Sequence, residues 1–197
     1  MFNPLSEEVI QRTIIAEFDA QPLHLLKDLE KFQGSGCYGL YYVGGSDLYP
    51  ADEETPVYIG KADYSGSRRG NIDQYVLQNS TKIWSRLKDH KASIEAVSNL
   101  EVSDFKYRSL EVSPVFIPVT ESLLITDKHP VWNTSLSGFG NKPTKNTRKG
   151  TLVSEWDTVH PGRPHTRFYS ERDGGERDEL IDFIHAHYDR EAEKIAA

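Results

Sequence analysis

Seven consecutive residues, Cys37-Tyr38-Gly39-Leu40-Tyr41-Tyr42-Val43, constrain the fold of this chain more than any other stretch. Aromatic and β-branched side chains suit a pleated surface, and glycines bound the run on both sides, so the segment predicts a β-strand. A polar loop from Gly44 to Pro56 leads to a second short strand, Val57-Tyr58-Ile59-Gly60, and a third is expected within Phe105–Val112. Helical periodicity fills the segments between and around them. The pattern predicts an α/β (α+β) chain, a small antiparallel β-sheet flanked by helices.

Ser6 is a natural N-cap, and Val9, Ile10, Ile14 and Phe18 recur at helical spacing behind it. Pro22 restarts the chain, and Leu23, Leu26 and Leu29 repeat the pattern. Residues 6–32 therefore predict two short helices, a helical arm over residues 1–33. A longer helix is expected from about Thr81 to Val97. At 100° per residue Ile83, Leu87, Ile94 and Val97 share one arc, and His90 falls inside it with Arg86 beside it. Pro118 can open a further helix, which puts Glu121 in its first turn, and Pro130 blocks its continuation. Residues 34–135 are expected to form the central module, with an inserted loop over 61–80. Residues 136–197 form a basic loop and a terminal helix carrying Leu180, Ile181, Phe183 and Ile184.

Composition narrows the function classes. The 197 residues suit one domain. Lysine and arginine total 23 against 30 acidic residues, a net charge of −7, which excludes a wholly basic nucleic-acid coat but not a local basic patch. Cys37 is the only cysteine, so an internal disulfide, a thiolate zinc site and CxxC redox chemistry are excluded. No apolar run approaches the roughly 18 residues of a membrane span. The opening residues MFNPLSEEV carry neither a basic region nor an apolar core, which predicts a cytoplasmic protein.

Five features fall in a telling order: Gly39-Leu40-Tyr41, then Tyr58-Ile59-Gly60, then Arg86 and His90 four apart on a helix, then Glu121, then Asn133 after Pro130. Each residue alone fits a structural role: a half-buried strand tyrosine, a core histidine, a dipole-complementing glutamate, a turn asparagine. Together and in sequence, over residues 36–135, they resemble the GIY-YIG nuclease superfamily, and in particular its type II restriction endonuclease branch that cuts CCGCGG. Leu40 stands where the motif has isoleucine, and the loop between the tyrosines is longer than is common in the superfamily. Tyr38 and Tyr42 flank Tyr41 as other candidates for the first motif tyrosine.

The resemblance implies catalytic roles for Tyr41, Tyr58, Arg86, His90, Glu121 and Asn133, with Lys61 as a phosphate contact or pKa modulator. Glu121 would be the single metal ligand. It also implies a bacterial, Mg²⁺-dependent enzyme in which Mn²⁺ can substitute, acting on double-stranded DNA and leaving 5′-phosphate and 3′-hydroxyl ends. The chemistry needs these groups. Hydrolysing a phosphodiester takes a placed water, a proton acceptor and positive charge at the phosphate. Mg²⁺ accepts one or two carboxylates plus substrate phosphate, and an arginine fork suits phosphate oxygens. A tyrosine beside a cation and an imidazole is expected to have its pKa depressed and to serve as general base, with His90 receiving or relaying the proton. Tyr41 is expected to be that base and Tyr58 to orient the water, with the two tyrosines able to exchange roles.

Between Thr134 and Ser170 the charge reverses, and basic residues interleave with Phe139, Trp156, His160 and His165. Arg148, Arg163 and Arg167 are expected to read guanine edges, Lys142, Lys145 and Lys149 to meet phosphates, and Arg68 and Arg69 to form a second DNA-contact patch. A palindromic target implies a homodimer. Two other readings stay open: a repair or homing-type nicking enzyme, and a DNA-binding module without chemistry.

Overall fold

A computed structural model of the chain describes residues 6–63, 79–141, 151–173 and 175–196. The sheet has four antiparallel strands in the order β1-β4-β2-β3: β1 His24–Leu25, β2 Gly36–Tyr42, β3 Tyr58–Ala62 and β4 Phe105–Glu111. The glycine-bounded aromatic run is the central strand β2, buried along its whole length between β3 and β4.

Helix α1 spans Glu7–Asp19, capped by the Ser6 side chain, which accepts from Val9 N. The second helix expected in residues 6–32 does not form. His24 and Leu25 instead pair with Tyr107 and Lys106 of β4, and Leu26–Asp28 make a single 3₁₀ turn. Leu26 is buried, and the edge of β4 supplies His24 and Leu25 with backbone partners that a short isolated helix after Pro22 cannot match.

Helix α2, Lys82–Glu95, turns Ile83, Leu87, His90 and Ile94 inward, as its periodicity predicts. Helix α3, Ile117–Lys128, starts one residue before Pro118. Glu121 consequently lies beyond its first turn, which contains no acidic residue. It ends at His129 in the left-handed region (φ 45°), and Pro130 leads into the short helix α4, Val131–Thr134. Helices α5, Glu155–Val159, and α6, Glu176–Ala196, are the remaining described α-helices.

Strand alternation sorts the core onto two faces. Tyr38, Leu40, Tyr42, Tyr58 and Ala62 join α2, α5 and α6 in one apolar cluster. Cys37, Tyr41 and Ile59 face the other way, against Phe18 of α1 and Ile117 and Leu124 of α3. Trp132 and Trp156 are buried packing residues at 5.5 Å, edge to face.

Candidate active site

Tyr38, opposite Gly60 in the β2–β3 register, projects toward α2. Its hydroxyl lies 2.8 Å from His90 Nε2. The approach depends on Gly60: a Cβ there would stand 2.5 Å from Tyr38 Oη and 2.7 Å from Cζ. Tyr58 projects from the same face, its ring 6.4 Å from that of Tyr38 and 5.1 Å from that of His90. The buried His90 imidazole stacks on Phe139 at 4.6 Å. Arg86, one turn before His90, interacts with both phenolic oxygens and reaches the Gly140 carbonyl at 3.5 Å. A cleft of about 390 Å³ opens beside this cluster, lined by Arg86, Asp89, His90, Phe139, Gly140 and His165 among others.

Burial sets the electrostatics. Desolvation pushes the Tyr38 phenol well above its ordinary value, the neighbouring Tyr58 adds to this, and Arg86 offsets only part. Tyr58 shifts upward for the same leading reason. The expected depression of a tyrosine pKa is therefore corrected: the cost of burying a phenolate outweighs the single nearby cation.

Tyr41 does not join this cluster. Three positions along β2 from Tyr38, it projects from the opposite face, its hydroxyl buried with no hydrogen-bond partner among the described residues. The Arg108 guanidinium lies 5.0 Å from its ring centroid. Burial raises its pKa too. Tyr38, preceded by Gly36-Cys37, occupies the place expected of Tyr41. Phe139, which the sequence pattern assigns only to a basic loop, is a further neighbour of the cluster. The signal that marks Tyr38 is its glycine partner across the strand pair.

Glu121 reaches the neighbourhood past the edge strand β3. Its charge is felt by the Tyr38 and Tyr58 phenols, and its Oε2 lies 2.7 Å from Lys61 Nζ. That hydrogen bond holds the lysine's pKa above its ordinary value. Cys37, buried close by, has its thiol pushed up to about 12, by burial first and then by Glu121 and Asp63.

Asn133 is brought to β3, where it bonds to backbone. Its Oδ1 accepts from Ile59 N at 2.8 Å and its Nδ2 donates to Ile59 O at 2.9 Å. The amide thereby satisfies both polar groups of an edge-strand residue and fixes the strand that carries Tyr58.

No group of three or more His, Cys, Asp or Glu side chains is placed to hold a metal among the described residues. A hard cation completed by water and substrate phosphate needs less. A partly buried carboxylate that already holds an ammonium fits the one-carboxylate case.

Of the predicted DNA contacts, Arg68, Arg69, Lys142, Lys145, Arg148 and Lys149 lie outside the described residues. Arg163 is corrected from base reader to buried staple. It is 4% exposed, pairs with both Asp157 oxygens at 2.5 Å, and donates to the Phe139 and Gly138 carbonyls at 3.0 and 3.1 Å. Those bonds hold the loop that presses Phe139 onto His90, and leave Arg163 turned inward. Arg167 is exposed, its guanidinium 4.7 Å from the Phe168 ring.

A tyrosine-bearing antiparallel sheet with an arginine and histidine one turn apart on a packed helix is the plan of a GIY-YIG nuclease module. Residues 30–187 match the family model described as the Eco29kI GIY-YIG domain, which spans most of the chain. Among curated proteins nothing matches. The chain belongs to the Eco29kI GIY-YIG family, a restriction-type branch of these nucleases. A restriction nuclease acts on DNA, and no described helix is long and apolar enough to cross a membrane.

Proposed function

We propose that this chain is a type II site-specific restriction endonuclease. It hydrolyses double-stranded DNA at a palindromic GC-rich site of the CCGCGG kind, as a homodimer, leaving 5′-phosphate and 3′-hydroxyl ends. The family match supports the class, and the contact between Tyr38 and His90 carries the chemistry.

Arg86 can only donate, so in its interaction with Tyr38 the phenolic oxygen is the acceptor, and the phenol's own proton can point to His90 Nε2. A water at the scissile phosphate gives its proton to Tyr38 Oη as Tyr38 delivers its own to Nε2. The phenol begins and ends neutral, as a buried hydroxyl with a raised pKa requires, and the charge settles on imidazole. Tyr58, on the same face, orients the water. Arg86 presents its fork to phosphate oxygens. Asn133 positions β3 through Ile59. Glu121 would hold Mg²⁺, or Mn²⁺ in its place, which would supply positive charge at the phosphate and leaving oxygen. Arg167 is the described candidate for base contact.

Mapping the ends produced on a plasmid, with Mg²⁺ and with chelator, tests this. Double-strand breaks at one sequence with 5′-phosphates, dependent on the metal, are expected. Nicks alone would point to the single-strand enzyme, and absence of cutting would refute the reading.

A further inference from the structure

The Lys61–Glu121 pair has a consequence beyond holding two side chains together. Glu121 lies on α3 and Lys61 on β3, so the contact joins elements from separate parts of the chain, with Nζ 2.7 Å from Oε2. At that distance the ammonium occupies space at the carboxylate oxygen that a divalent cation would need. Both groups remain within reach of solvent, at 38% and 21% side-chain exposure, so the ammonium can leave without unfolding anything. A partly solvated ion pair of this kind is weak, which suits a contact that must be exchanged.

We infer that Lys61 is a stand-in cation. In the DNA-free protein its ammonium holds the Glu121 carboxylate in place and competes with the divalent metal for it. Metal affinity is therefore low until the lysine leaves. Incoming DNA supplies the alternative partner, since a phosphate oxygen attracts the same ammonium. The inference rests on Glu121 being the metal ligand, and the two claims separate experimentally.

The test is binding of Mn²⁺ to the DNA-free protein, followed by electron paramagnetic resonance of the free ion, for wild type, Lys61→Met, Lys61→Gln, Lys61→Arg and Glu121→Gln. Removing the competing charge should tighten Mn²⁺ binding about three- to tenfold in Lys61→Met and Lys61→Gln, as a weak, partly solvated pair allows. Lys61→Arg, which keeps a cation, should bind as weakly as wild type. Glu121→Gln should lose the site. A general loosening of structure would not tighten a metal site, and the glutamine variant covers the case in which methionine disturbs folding. Unchanged or weaker binding in both neutral variants, with binding lost in Glu121→Gln, overturns the stand-in role alone. Binding that survives Glu121→Gln overturns the metal assignment as well.

Discussion

Tyr38→Phe and Tyr41→Phe remove the same atom from positions three residues apart, and opposite outcomes are expected. Tyr38 Oη sits 2.8 Å from His90 Nε2 on an imidazole that is 3% exposed. Its loss removes a buried bond and leaves Nε2 without that partner, costing about 1–3 kcal/mol of stability. A proton relay is worth about 10²–10⁴ in rate, so Tyr38→Phe should slow the chemical step by that factor, roughly 2.7–5.4 kcal/mol at the transition state. Tyr41 Oη is buried with no partner among the described residues. Deleting an unsatisfied hydroxyl should leave stability unchanged or raise it by up to about 1 kcal/mol, with cleavage intact. Single-turnover cleavage of a CCGCGG plasmid at saturating enzyme isolates chemistry from binding, and urea unfolding of the same preparations measures stability. If Tyr41→Phe abolished cleavage while Tyr38→Phe kept it, the assignment of faces to functions would be refuted.

Arg163→Met should destabilise the fold by about 3–5 kcal/mol in urea unfolding, because it leaves the buried Asp157 carboxylate unpaired. A loss of sequence preference at wild-type stability would restore Arg163 as a base reader. His160, which contacts Tyr49 Oη at 2.6 Å and Asn99 Oδ1 at 3.0 Å, has its pKa lowered to about 3 by burial, Arg177 and Arg163. The unfolded chain binds that proton below about pH 6.5 and the folded chain does not, so this contribution is full above pH 6.5 and lost at up to about 1.4 kcal/mol per unit as pH falls toward 3. Comparing urea unfolding at pH 7 and pH 5, the loss should be smaller in His160→Gln, and an equal loss would contradict it. Gly60→Ala should cost about 1–3 kcal/mol by overpacking and slow cleavage about a hundredfold, because a methyl 2.5 Å from Tyr38 Oη displaces the hydroxyl. Wild-type kinetics in that variant would show that the phenol's position is immaterial.

Much of the fold is encoded in local pattern. Strands β2, β3 and β4 follow from runs rich in aromatic and β-branched residues, and α2 follows from a period that places His90 on the buried arc among Ile83, Leu87 and Ile94. Two things depend on distant partners. Residues 20–32 carry a leucine spacing compatible with a helix, yet His24 and Leu25 pair with β4, some eighty residues away. Arg163 reads in sequence as another basic loop residue, and only the fold brings both Asp157 oxygens and two carbonyls onto its fork.

The choice of tyrosine has a sharper physical basis. Gly36-Cys37-Tyr38 and Gly39-Leu40-Tyr41 both present a glycine two residues before a tyrosine, and the aliphatic Leu40 gives the latter tripeptide the greater likeness to the motif. The two glycines are not equivalent. Gly36 has φ +152°, and a Cβ on it would stand 2.1 Å from the Leu110 carbonyl oxygen, an approach no side chain permits. A Cβ on Gly39 would meet nothing nearer than Phe18 Cζ at 3.1 Å, a contact that a modest shift of the ring relieves. Tyr38 also lies between Gly60 and Ser109, small residues on both neighbouring strands, whereas Tyr41 pairs with the long side chain of Lys106 on β4. Backbone crowding makes Gly36 obligatory, and Gly60 across the strand pair clears the neighbour that the Tyr38 ring needs to reach an imidazole. Cross-strand size, read as a pair with backbone approach, distinguishes two tripeptides that composition leaves alike.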